Sequence, residues 1–169
     1  MMTTLEAALD QDIEAITAIY NEAIVDGSLA TADLEPVSVE ARRAVFEARV
    51  HPFGTFVRRD AAGNPLAWGS LAPLTIRPEQ PGVAEVAVYV TASMRGRGLG
   101  TELITALAAE GRTRAFSYLY AVVYARNRAS VAAFEQSGFV PQIVLPDASN
   151  RPDTGWEDVV VLMRSLRES

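Results

Sequence analysis

Residues 84–107 contain three segments in succession: Ala84-Glu85-Val86-Ala87-Val88-Tyr89-Val90, then, after Thr91-Ala92-Ser93-Met94, Arg95-Gly96-Arg97-Gly98-Leu99-Gly100, then a stretch carrying Leu103 and Leu107. In the first, Ala84, Val86, Val88 and Val90 share one face and Glu85, Ala87 and Tyr89 the other, which predicts a strand with a carboxylate at its middle. Leu99, Leu103 and Leu107 recur every four residues beside Ile104 and Ala108, which predicts an amphipathic helix. Three glycines in six residues leave peptide N–H groups open to close approach, and the helix adds the positive end of its dipole. Strand, glycine loop and helix in this order predict a seat for a phosphate or pyrophosphate. The glycines do not follow G-x-G-x-x-G, because Arg97 and Leu99 separate them differently, and this disfavours a dinucleotide fold.

Upstream, Asp10 to Asp26 carries Ile13, Ile16, Tyr20, Ala23 and Ile24 at helical spacing, with acids at its start and Gly27 at its end. Ser38 can cap a second helix running to about Val50, with Ala41, Val45 and Ala48 on one face, which His51-Pro52 would stop. His51 is thus read as a helix-end residue. Thr55 to Arg59 and Leu66 to Leu74, joined at Ala62-Gly63-Asn64-Pro65, predict a hairpin. Downstream, Tyr118 to Tyr124 predicts a buried strand, Asn127 to Ser137 a short helix ending in Gly138, and Phe139-Val140 the start of another strand. A polar loop is expected from Asp147 to Trp156, before a last strand over Asp158 to Met163. The order predicts a mixed α/β layer, here a single α+β domain over residues 1–169. Trp68 and Trp156 are expected in the core.

The 169 residues carry 15 basic and 21 acidic side chains, a net charge of −6, which argues against non-specific binding to nucleic acid or an anionic membrane. Residues 91–130 run the other way, with six arginines and only Glu102 and Glu110 as acids, so an anionic small ligand could find a home there. Every basic residue is Arg. With no Lys, Schiff-base chemistry and the phosphate-loop lysine are excluded. The chain has no Cys and one His, so thiolate nucleophiles, disulfides and sites needing two His ligands are excluded as well. No basic start followed by an apolar run opens the sequence and no stretch has the length of a membrane span, so a soluble, cytoplasmic protein is expected.

With these segments in hand, the chain resembles the GNAT superfamily of N-acetyltransferases. The superfamily's pyrophosphate loop Q/R-x-x-G-x-G/A matches Arg95 to Gly100 immediately after a strand. A second signature, N-x-x-[SA]-x-x-x-[FY]-E-x-x-G-F, is met by Asn127, Ser130, Phe134, Glu135, Gly138 and Phe139. Ile19-Tyr20-Asn21-Glu22-Ala23, the Glu85-x-x-Val88-Tyr89-Val90 strand and Gly155-Trp156-x-Asp158-Val159 look like the phosphinothricin and methionine-sulfoximine acetyltransferase branch. The resemblance implies a mostly antiparallel mixed sheet flanked by helices, acetyl-CoA as cosubstrate, no metal, a small-molecule amine as acceptor and a homodimer.

It also implies roles. The backbone of Val88, Tyr89 and Val90 would receive the pantetheine arm. The amides of Arg95, Gly96, Arg97, Gly98, Leu99, Gly100 and Thr101 would hold the pyrophosphate, with added bonds from Arg95 and Arg97. Asn127, Ser130 and Phe134 would form the opposite wall. Glu85 would be the general base, sharing a face with Tyr89, and the N–H of Val88 would meet the carbonyl oxygen. Where the family often has a Tyr, or this branch a His, that protonates the leaving thiolate, this chain has Phe134; either Tyr124, Tyr89 or water takes that role, or the thiolate leaves unassisted, as its modest basicity allows. The branch's arginine four residues before the strand glutamate is here Pro81, with Arg77 as a substitute for acceptor binding. An acceptor on a protein or peptide N-terminus and a non-catalytic acetyl-CoA-binding module are the alternative readings.

Overall fold

A computed structural model describes residues 5–73 and 82–167. In chain order it has β1 (Glu6–Ala7), α1 (Ile13–Val25, entered through a 3₁₀ turn at Asp10–Asp12), α2 (Val39–Glu47), β2 (Gly54–Arg59), β3 (Pro65–Pro73), β4 (Val83–Val90), α3 (Leu99–Thr113), β5 (Tyr118–Tyr124), α4 (Arg128–Gln136), β6 (Val140–Arg151) and β7 (Gly155–Ser165). The strands make one sheet in the order β1-β2-β3-β4-β5-β7-β6. Every neighbouring pair is antiparallel except β4 and β5.

The alternation along the strands sends two different sets of side chains to the two faces. On one, Leu103, Ile104, Leu107 and Ala108 of α3 bury against Leu71, Val86 and Leu119, with Phe134 of α4 in the same core. Truncating a side chain such as Leu107 to Ala here would cost about 3 kcal/mol. Gly69 lets α3 approach, since a Cβ there would lie 2.7 Å from Leu107 Cδ1 and 2.9 Å from the Ala87 carbonyl oxygen. On the other face Ile16, Ile19 and Tyr20 of α1 pack on Val57 and Trp68.

The parallel pair is what opens the sheet. β4 and β5 are in register only at Val83–Tyr118, Ala84–Leu119 and Glu85–Tyr120. Beyond Glu85, β4 stays with β3 as far as Val90–Ala67 while β5 stays with β7 as far as Tyr124–Val159, so the two halves part. The Thr91 N–H donates to the Leu66 carbonyl at 3.0 Å, which fixes the phase of the β3–β4 ladder. Because antiparallel pairs alternate, the N–H and C=O groups of Val86, Val88 and Val90 turn away from β3 into the opening.

Several expectations change. The stretch from Asp147 to Trp156 is mostly strand: Ser149, Asn150 and Arg151 pair with Glu157, Trp156 and Gly155, after an irregularity between Leu145 and Ser149. Its polar residues suit a loop, but pairing along β7 supplies the backbone bonds that composition does not reveal. The second helix stops at Glu47, and its Ala41, Val45 and Ala48 are exposed while Arg42 is the buried residue. Its helical spacing is as expected, and its orientation is turned by the guanidinium, which stacks 3.8 Å from the Tyr20 ring centroid. Trp156 is 62% exposed, whereas Trp68 is in the core. Leu74, the expected end of β3, lies outside the described residues.

Candidate active site

Among the described residues, two cavities lie along the opened seam of the sheet, and a third lies over β3 and β4 on the α2 side. The first, about 400 Å³, runs between the end of β4, the glycine loop and α4. Gly96 and Gly98 have φ of 72° and 82°, a left-handed backbone that side-chain-bearing residues rarely adopt. Among the described residues nothing lies within 4 Å of a Cβ built at either, so conformation rather than space demands glycine. Gly98 is the N-cap of α3 and, as a glycine, brings no side chain to bond its first amides. Gly100, Thr101, Asn127 and Ser130 line the same groove. Leu99 is core and Arg97 is exposed outside the lining.

Arg95 lines the groove, but its guanidinium is engaged: Nη1 pairs with Asp26 and Nε donates to the Val90 carbonyl at 2.9 Å. The Asp26 carboxyl is held below its ordinary value by Arg95 and Ser28, against the opposing effect of burial. Arg95 therefore ties the loop to α1, where the sequence suggested a free phosphate ligand. Asn127 is also occupied, accepting from the Ser130 N–H at 3.1 Å as the cap of α4 and donating to the Leu29 carbonyl at 3.3 Å. That bond and those from Tyr20 Oη to Thr31 and Asp33, both 2.5 Å, hold the 29–33 segment across the opening.

The second cavity, about 310 Å³, is the gap between β4 and β5 itself. Val88, Tyr89, Tyr124 and Phe134 line it, and Glu85 stands at its apex where the strands part. Phe134 is 2% exposed and packs edge-on against Phe139 at 5.0 Å, so it is both wall and core. The Tyr124 hydroxyl lies 2.9 Å from Ser149 Oγ. Glu85 Oε2 accepts from the Tyr120 hydroxyl at 3.0 Å. Burial, then the charge of Glu85 and the bond to it, push the Tyr120 hydroxyl well above the usual tyrosine range, so it stays a donor.

The third cavity, about 440 Å³, opens on the α2 side and shares Glu85, Ala87 and Tyr89 with the second. Its other walls were not anticipated: Arg42 and Arg49 from α2 and the turn after it, and Trp68 and Ser70 from β3. Tyr89 stacks on Trp68 at 4.7 Å and meets Tyr20 edge-on at 4.9 Å. Burial pushes its hydroxyl far above the usual range. Burial and the neighbouring charge of Arg42 lower the pKa of Arg49, while Tyr89 and Glu85 act the other way. Arg77 and Pro81 lie outside the described residues. No local pattern signals the pair, because Arg42 lies on α2 and Arg49 beyond its C-cap at Ala48, and only the fold brings them to one cavity.

A groove with free helix-end amides, a strand edge presenting backbone groups, a narrow chamber and a carboxylate between it and a separate polar cavity can hold two substrates end to end. An extended acyl carrier with a pyrophosphate fits the first two parts. Residues 13–139 match the model of the Acetyltransferase (GNAT) family. The chain is 31% identical over 163 residues, 96% of its length and 99% of the relative's, to YwnH of Bacillus subtilis (strain 168), provisionally named a phosphinothricin acetyltransferase. It is 33% identical over 149 residues, covering 85% of this chain and 86% of the relative, to the L-methionine sulfoximine/L-methionine sulfone acetyltransferase of Pseudomonas paraeruginosa (strain DSM 24068 / PA7). Among solved structures, yncA of Salmonella typhimurium with its cofactor acetyl-CoA superposes with a TM-score of 0.89 at 26% identity, covering all of this chain and 96% of that one. The chain belongs to the GNAT acetyltransferase family. It is an N-acetyltransferase with acetyl-CoA as its cosubstrate.

Proposed function

We propose that the protein acetylates the primary amine of a small molecule, with amino acids and analogues such as phosphinothricin or methionine sulfoximine as the first class of acceptor, and that Glu85 is the general base. The observation that carries this is the convergence of the chamber and the α2-side cavity on Glu85 and Tyr89. The relatives' names support the acceptor class.

Bound acetyl-CoA supplies an activated acetyl group as a thioester. The amides from Gly96 to Thr101 hold its pyrophosphate, and the β4 edge at Val88 and Val90 receives the pantetheine as an added strand. The Val88 N–H donates to the thioester oxygen as negative charge develops there. Glu85 takes a proton from the acceptor's ammonium, directly or through one water. Tyr120 occupies Oε2 and leaves Oε1 for that task. The neutral amine attacks the thioester carbon; as the C–S bond breaks, Tyr124 gives a proton to the departing sulfur, in the place where Phe134 has none to give, and regains one as the nitrogen sheds its second proton, with Ser149 Oγ beside it at 2.9 Å.

A homodimer belongs to the same proposal, since β6 is an edge strand with Val140, Ile143, Val144 and Leu145 all exposed. So does a cytoplasmic location, where acetyl-CoA is supplied; among the described residues no helix is long and apolar enough to cross a membrane. Thiol release from acetyl-CoA against a panel of amines, with Glu85→Gln alongside, tests the reading. The wild type should turn over an amino-acid acceptor, and the variant should keep acetyl-CoA affinity while losing about 100-fold or more in rate. An unchanged rate in the variant would remove Glu85 from the role of base.

A further inference from the structure

Buried cations normally come with counter-charges, and among the described residues several of this chain's arginines follow that rule while others, Arg58 and Arg164 among them, do not. Arg59, Arg114 and Arg151, all well withdrawn from solvent, pair with Asp12, Glu110 and Asp153. Arg42 and Arg49 do not. Among the described residues neither is paired with a carboxylate; Arg49 donates to the Thr55 hydroxyl at 3.0 Å, and Arg42 stacks over Tyr20 and, at 5.4 Å, Trp68. Two guanidiniums in one cavity, one of them weakened by the other's charge and by burial, form a site short of an anion.

The neutral groups around them agree. Among the described residues four buried side-chain polar atoms lack a hydrogen-bond partner, and three of them belong to walls of this cavity: Arg42 Nε, Trp68 Nε1 and Ser70 Oγ. Two are donors only, and the third can donate. Trp68 and Ser70 are each 1% exposed and Arg42 9%, so these groups sit where an unmade bond is costly. Among the described residues the one carboxylate lining the cavity is Glu85, which marks the end where the amine reacts.

Resting on the acetyltransferase reading above, we infer that Arg42 and Arg49, with Trp68 and Ser70, are the seat for an acid group on the acceptor. The acceptor is then an amino acid or a close analogue, bound with its ammonium toward Glu85 and its carboxylate toward the arginines. Simple amines and polyamines, which bring positive charge without an anion, are poor acceptors.

The test compares matched pairs that differ only in the carboxylate: methionine sulfone with 3-(methylsulfonyl)propylamine, leucine with 3-methylbutylamine, and phenylalanine with 2-phenylethylamine. For the wild type, kcat/KM for at least one amino acid should exceed that of its amine about 100-fold. Arg49→Gln and Arg42→Gln should cut this preference about 30-fold or more, mainly through KM of the amino acid. If Arg42→Gln does not fold, Arg42→Lys and Arg49→Gln carry the test, with acetyl-CoA affinity reporting an intact protein. Equal use of both members by the wild type, or losses in the variants shared equally by both, would overturn the anion seat and leave the acetyltransferase reading standing. Acetyl-CoA binding with no turnover of any member would bring down both.

Discussion

The groove beside the glycine loop and the cavity beneath α2 differ in what they offer a ligand. The groove offers backbone: the first amides of α3, and the β4 edge set free when β5 turns away after Glu85. Its side chains are largely spoken for, Arg95 by Asp26 and Asn127 by Ser130 and Leu29. The cavity offers side chains, Arg42, Arg49, Trp68 and Ser70, whose polar atoms have few or no partners of their own. Backbone recognition depends on conformation and survives most substitutions. Recognition by unpartnered side chains depends on identity, so one change can redirect the choice of acceptor while the groove keeps its ligand.

Substitutions can separate the two ends, and the largest effect belongs at their junction. Glu85→Gln should lower kcat by about 100-fold or more while leaving acetyl-CoA affinity, measured by calorimetry, unchanged. Arg49→Gln should shift acid-over-amine preference about 30-fold with no effect on acetyl-CoA affinity. Gly98→Ala should do the reverse. Its left-handed backbone costs a side-chain-bearing residue roughly 1–2 kcal/mol, so the loop relaxes and acetyl-CoA binds about tenfold more weakly, with acceptor preference intact.

Asp12→Asn lies outside both ends and serves as the control. Asp12 holds Arg59 through two bonds of 2.7 and 2.8 Å. The variant should lose about 2 kcal/mol of stability at neutral pH, read by denaturant unfolding, with activity per folded molecule unchanged. Arg59 holds the Asp12 carboxyl below its ordinary value of 3.8, so its stabilisation is full above that pH and fades as the pH falls through the lowered value. The difference between the wild type and Asp12→Asn should narrow accordingly in acid.

The same contrast explains what the sequence discloses. The groove is encoded within a few residues: Gly96 and Gly98 mark the left-handed turns, Leu99 to Ala108 the helix, and Ala84 to Val90 the strand whose far edge the structure shows to be open. Glu85 is legible as a mid-strand carboxylate, but its role as base, like that of Tyr124 as proton donor, comes only through the resemblance. The cavity draws on α2, β3 and β4, and nothing local announces that Arg42, stacked on Tyr20, is the buried residue of α2 while Val45 and Ala48 stay exposed at the cavity's wall. An apolar stripe on a short helix reads as core until the partner surface is known. The β6–β7 hairpin was hidden for another reason, since residues 147–151 are polar and their strand conformation comes from register with Gly155, Trp156 and Glu157.

The claim that matters most is that both substrates occupy the seam together and meet at Glu85, with the acetyl group passing directly from one to the other. Initial velocities over a grid of acetyl-CoA and amino-acid concentrations test it. Reciprocal plots should intersect, as direct transfer in a ternary complex requires. Parallel lines, together with an acetylated protein detected by mass when acetyl-CoA is added without acceptor, would show a covalent acetyl-enzyme and contradict the account.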